Sequence, residues 1–80
     1  MKLELINGQF SGEEIFEIVS KMIHVKIKFH EQKISTSDAE EDIKLREKKI
    51  KSLQDKLKEI RLFLKDKSQM YLDGQLNFGL

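Results

Sequence analysis

Apolar residues between positions 39 and 64 recur on a heptad. Ala39, Ile43, Ile50, Leu53, Leu57, Ile60 and Leu64 share one narrow helical face, interrupted only by Arg46, and a stripe of that period defines a long amphipathic helix that needs a partner. The first half of the chain carries a broader pattern. Ile15, Ile18, Met22, Val25 and Phe29 form one row, and Phe16, Val19, Ile23, Ile27, His30 and Ile34 form an adjacent one. At about 100° per residue the two rows sweep roughly 200° of a helix, about twice what a single antiparallel partner covers. Toward both ends the helical period gives way to alternation. Lys2-Leu3-Glu4-Leu5-Ile6 reads as a short strand with Leu3 and Leu5 on one face, and Leu76, Phe78 and Leu80, alternating with Gln75, Asn77 and Gly79, read as another.

Local signals mark the boundaries. Asn7-Gly8 reads as a turn. Ser11 with Glu14 three residues on forms a capping box, and Phe10 is placed to staple onto Ile15. A first helix is therefore expected over residues 12–34. Ser35-Thr36-Ser37-Asp38 breaks it, and Ser37 with Glu40 reads as a second capping box opening a helix over residues 38–68. At that length the second helix overhangs the first by about two turns. Leu62, Phe63 and Leu64 near its end point to different faces, so the overhang needs cover as well. Asp73-Gly74 is a further turn signal, and Ile6-Asn7-Gly8-Gln9-Phe10 echoes Leu72-Asp73-Gly74-Gln75-Leu76. A short connection between two amphipathic helices makes an antiparallel hairpin. The expected fold is mainly α: a single domain over residues 1–80, a two-helix hairpin with short terminal strands in the order β-α-α-β.

Composition narrows the function classes. Eighty residues without cysteine leave a small core and no disulfide to reinforce it, and chains of this size commonly gain stability from oligomerisation. The absence of proline suits uninterrupted helices. A net charge of +1 despite 36% charged residues argues against a strongly basic nucleic-acid binder. The N-terminal segment lacks the apolar run of a signal peptide, and no stretch approaches the roughly 20 apolar residues that span a bilayer; the expected setting is cytoplasmic, with no membrane partner.

Candidate chemistry is sparse. His24 and His30, six residues apart, lie about 120° apart on a helix and do not share a metal ion as an i, i+4 pair would. His30 buried at an interface would make association pH-sensitive. Lys26 and Lys33 fall within the first helix's apolar arc, where a snorkelling or paired lysine is the ordinary reading. Arg46 inside the second stripe has the character of a residue that fixes register or oligomer state. Lys44, Lys51, Lys58 and Lys65 recur every seven residues as a basic row beside the seam, able to meet phosphates, but acidic residues interleave with them and no aromatic platform for bases accompanies them. No phosphate loop, nucleophile elbow, zinc spacing or calcium loop is present, so neither a cofactor nor a metal nor an enzymatic activity is expected.

The run Ile6-Asn7-Gly8-Gln9-Phe10-Ser11-Gly12-Glu13-Glu14, followed by Lys26-Ile27-Lys28-Phe29-His30-Glu31 and Glu41-Asp42-Ile43-Lys44-Leu45-Arg46-Glu47, resembles small uncharacterised bacterial helical-hairpin proteins. That resemblance implies a helical hairpin over most of the chain and supplies no site residues. The residues themselves point to a homo-oligomer, a dimer or tetramer built as a four-helix, coiled-coil-like assembly. Phe16, Val19, Ile23, Ile27, His30 and Ile34 are the apolar surface expected to remain for it after the hairpin closes. The expected function is a non-enzymatic protein–protein interaction or oligomerisation module. The alternative is a nucleic-acid-associated accessory protein using the lysine row, and a third class is a small-molecule binder holding its ligand between helices and sheet.

Overall fold

The structure is a computed structural model that describes residues 1–79. It is mainly helical, with two helices and a two-stranded antiparallel sheet in the order β1 (Lys2–Phe10), α1 (Gly12–Thr36), α2 (Glu40–Leu64) and β2 (Met70–Asn77). Leu80, the last position of the expected C-terminal alternation, lies outside the described residues.

Helix α1 begins as its sequence dictates. The Glu14 N–H donates to Ser11 Oγ at 3.1 Å, and the Ser11 N–H donates to Glu14 Oε1 at 2.9 Å, so two of the orphan donors of the first turn are satisfied reciprocally. Those bonds from Ser11 hold the Glu14 carboxyl below its ordinary pKa. At the other end α1 runs on to Thr36, and Ser37, already extended at φ −93° and ψ 138°, closes it by donating its N–H to the Ile34 carbonyl. That choice overturns the expected Ser37–Glu40 capping box. Ala39 is the N-cap of α2 and offers no side-chain oxygen, while Ser37 Oγ accepts from the Ala39 N–H. Serving as the C-cap of α1, Ser37 sits two residues too early to cap α2. Glu40, Glu41 and Asp42 still load the first turn of α2 with negative charge, which favours a helix start. Each helix spans 25 residues, so the expected two-turn overhang of the second is absent; α2 stops at Leu64, four residues early.

The hairpin seam follows the heptad on α2. Ile43, Arg46, Ile50, Leu53, Leu57 and Ile60 are half-buried and Leu64 is buried. On α1 the row that meets α2 is the one expected to be left over for oligomerisation. Ile27 and His30 are buried, and Phe16, Val19, Ile23 and Ile34 are half-buried. Arg46 reaches across to His30, and the Arg61 guanidinium covers the Phe16 ring at 5.1 Å. The row left outside consists of Met22, Val25 and Phe29, exposed by 44, 70 and 50%. The period alone could not choose between two adjacent apolar rows; the Arg46–His30 bond and the junction at Gly12 rotate α1 so that the second row faces inward.

At that junction the Gly12 N–H donates to the Lys67 carbonyl at 3.0 Å, and the Lys67 N–H to the Leu64 carbonyl at 3.2 Å. Gly12 has no Cβ, so the end of α2 packs directly on the first turn of α1. A Cβ there would collide with the Leu64 carbonyl and lie 2.7 Å from that of Lys67. With the open ends of both helices held together, β1 and β2 leave side by side and pair along their full lengths. Asn7-Gly8 and Asp73-Gly74, expected as turns, are strand residues that face one another: Ile6 opposes Gly74, Asn7 opposes Asp73, and Gly8 opposes Leu72. Gly8 takes φ 156°, a conformation that suits glycine.

The ladder shifts by one residue between Glu4 and Ile6, leaving Leu5 as the extra residue of a β-bulge. The bulge corrects a parity change in the sequence. Before it, the apolar residue Leu3 is odd-numbered; after it, Ile6 and Phe10 are even. Because Leu3 opposes Leu76 and Phe10 opposes Met70, the shift places Leu3, Ile6, Phe10, Met70, Leu72 and Leu76 on one face. The other face carries Lys2, Glu4, Asn7, Gln9, Tyr71, Asp73 and Gln75, with the Tyr71 hydroxyl donating to Asn7 Oδ1.

Gly12→Ala is expected to be among the most destabilising single substitutions in this chain. The added methyl meets the Leu64 and Lys67 carbonyls and the Lys67 Cβ, whereas Gly79→Ala meets open space and is expected to change the melting temperature little. Circular-dichroism melts of the two variants against the parent check this; an unaltered midpoint for Gly12→Ala would contradict the junction.

Candidate association surface

The chain is thin for its mass. Its radius of gyration is 15.3 Å, against about 12 Å for a compact chain of this length, and it extends over 46 × 32 × 13 Å. Its accessible surface is 6690 Å², where a compact monomer of the same mass exposes about 5,000 Å². The excess is of the order of 1,700 Å². Among the described residues only Ile15, Ile27 and Leu64 are buried apolar side chains, and none is sealed completely.

Two exposed apolar regions contribute to this surface, beside Leu62 and Phe63 near the end of α2, exposed by 74 and 62%. One is the apolar face of the sheet, where Ile6, Phe10, Met70 and Leu72 are half-buried near the helices while Leu3 and Leu76, at the far end, are 40 and 44% exposed. The other is the outer row of α1, Met22, Val25 and Phe29. Phe29 is flanked by Lys33 and Arg46, whose charged groups lie 5.6 and 5.9 Å from its ring centre. Sequence reasoning missed both regions, although the row of α1 was visible as periodicity. The face of the sheet was hidden by the bulge, because Leu3, Ile6 and Phe10 fit no single alternation.

The basic row is spread along the outer flank of α2. Lys44 pairs with Glu40 at 3.3 Å. Lys51 and Lys58 line an open groove with Glu47 and Asp55, and Lys65 lies at the far end beside Gly12, Glu13 and Arg61. The row is thus interleaved with carboxylates for most of its length.

His30 is 6% exposed inside the hairpin. Its Nδ1 lies 3.0 Å from Arg46 Nη1, and since a guanidinium only donates, Nδ1 accepts and the ring is neutral with its proton on Nε2. Arg46 is held in turn by Asp42 Oδ2 at 3.2 Å. Burial above all, then the positive charges of Arg46, Lys49 and Lys26, press the His30 pKa below its usual value. Arg46, read from sequence as an interruption of the stripe, is the cross-helix contact that sets its register. Among the described residues no cluster of three histidine or acidic side chains is arranged to hold a metal ion, and no helix is long and apolar enough to cross a membrane. No protein-family model matches the chain, nor does any curated protein or solved structure.

The sign of the pH dependence follows from His30. In the unfolded chain it binds a proton near pH 6.5; in the hairpin the proton is bound only at lower pH. Stability is complete above about pH 6.5 and falls as pH drops below it, because only the unfolded state gains the proton. The melting temperature is expected to decline between about pH 6.5 and 5, above the range where ordinary carboxylates titrate. His30→Leu should flatten that part of the profile, and an identical decline in the variant would remove His30 as its source.

Proposed function

We propose that this chain is a non-enzymatic assembly module whose partner is a second copy of itself. The carrying observation is the surplus surface. Obligate homodimers bury roughly 1,000–2,500 Å² on each subunit, and the excess here falls inside that range. The near-zero net charge puts no long-range repulsion between copies.

The one-sided sheet is the contact this reading favours. A two-stranded sheet is marginal by itself, and its face of six large apolar residues has little of its own chain to rest on. Two copies packed through that face make a sheet-on-sheet core, and the outer row of α1 extends the contact toward a four-helix assembly. This moves the association surface away from Phe16, Val19, Ile23, Ile27, His30 and Ile34, which the hairpin already uses. Such an assembly needs neither disulfide nor metal and suits a cytoplasmic setting. A nucleic-acid role for Lys44, Lys51, Lys58 and Lys65 is the weaker reading, given the carboxylates among them.

Light scattering after gel filtration should return twice the chain mass of 9.4 kDa, with a melting midpoint that rises with concentration. Leu76→Lys should weaken the dimer tenfold or more, the effect of losing about 1.5–3 kcal/mol of apolar burial. Gln75→Lys, on the polar face, should leave the mass unchanged. A folded parent monomer at all concentrations, or equal effects of the two substitutions, would overturn the proposal.

A further inference from the structure

On one side of the hairpin an open groove of about 380 Å³ runs between the helices, lined by Lys26 and His30 from α1 and by Lys49, Ser52, Leu53 and Lys56 from α2. No carboxylate lines it. None of the three lysines makes an ion pair among the described residues. The helical neighbours of Lys26 at three and four residues are Met22, Ile23, Phe29 and His30, and those of Lys49 are Leu45, Arg46, Ser52 and Leu53, so neither has an acid within reach along its own helix. Lys44, Lys51 and Lys58 have Glu40, Glu47 and Asp55 beside them, and Lys56 has Glu59 three residues on, so Lys26 and Lys49 are the groove lysines without an acid along their helix.

We infer that this groove is an anion site that takes phosphate groups, with Lys26, Lys49 and Lys56 supplying the charge and Ser52 a hydroxyl donor. Two further features agree with this. His30, on the wall of the groove, has a buried Nε2 with no hydrogen-bond partner, a spare donor that nothing in the hairpin satisfies. The same ring reports the local potential, since Lys49 and Lys26 contribute to holding it neutral. Lysines from two helices line the groove with no carboxylate in its wall, and an anion of several negative charges is attracted to such a set. Lysine suits the task because it meets phosphate as a mobile point charge. The overall charge of +1 conceals the groove, because the balancing acids lie outside its lining, five of them in the first turns of the two helices.

The phosphates belong either to a free oligophosphate or to a nucleic-acid backbone, and two probes separate these sources. A fluorescent single-stranded oligonucleotide and inorganic tripolyphosphate are each titrated into the full chain at about 50 mM salt. Binding of one or both is expected. Competition between them assigns the site to phosphate itself; binding of the oligonucleotide alone assigns it to a polymer backbone, and of tripolyphosphate alone to a free ligand. For the oligonucleotide, three neutralised phosphates predict a slope of log affinity on log salt of about −2. The triple variant Lys26→Gln, Lys49→Gln, Lys56→Gln should weaken binding at least tenfold, while Lys44→Gln, Lys51→Gln, Lys58→Gln changes it less than threefold. The His30 midpoint, followed by NMR, should rise when the anion binds. Absence of salt-dependent binding of either probe overturns the inference, as does equal loss in the two triple variants. A groove variant that changes the mass in solution and not the binding would also overturn it, assigning the lysines to the contact between copies.

Discussion

Everything beyond the two helices depends on how closely the first turn of α1 approaches the end of α2. Gly12 presents bare backbone there, its N–H bonded to the Lys67 carbonyl, and any side chain would strike the Leu64 carbonyl. The contact closes the open end of the hairpin, as the Ser37–Ala39 link closes the other. It delivers both chain ends to one place, so that two strands separated by the whole helical hairpin in sequence become neighbours. It also sets the rotation of α1 and thereby decides which apolar row is used. The close approach of bare backbone at Gly12 leaves no room for a side chain, which is why the junction tolerates so little change.

The second constraint is a shortage of core. A thin hairpin and a two-stranded sheet have too few layers to bury side chains on two sides, and among the described residues only three apolar side chains are buried, none of them completely. Within that limit a polar group occupies one of the most protected positions. His30, bonded to Arg46 and through it to Asp42, exchanges apolar packing for a directional contact. Such a pair contributes little net stability, but as a directional contact across the hairpin it favours one alignment of the helices over others. Burial first, and then the cations around it, favour the neutral form of the ring.

Surface chemistry divides along the same lines. Carboxylates concentrate at the helix starts, where the dipole favours them, and along the outer flank of α2. The groove between the helices therefore keeps its positive charge, while the regular lysine row loses much of its own. The sheet separates its two faces as well, one carrying Leu3, Ile6, Phe10, Met70, Leu72 and Leu76 and the other the charged and amide side chains with Tyr71.

The sequence by itself determined the two helices, their antiparallel arrangement, the Ser11–Glu14 start and the stripe of α2 that faces inward, because each is written in local spacing and local hydrogen-bond chemistry. Arg46 was legible as a register residue for the same reason. The tertiary structure decided what depends on competition between equivalent local choices. Ser37 could cap either helix, and it closes α1. Two rows of α1 were equally apolar, and the row of Ile23 and Ile27 turned inward while Met22, Val25 and Phe29 stayed out. Asn7-Gly8 and Asp73-Gly74 carry turn chemistry yet became paired strand residues, because partners from the other end of the chain satisfied their backbones. The apolar face of the sheet and the lysine groove were illegible for one physical reason: each joins residues from distant parts of the chain, and only the closed hairpin brings them to the same place.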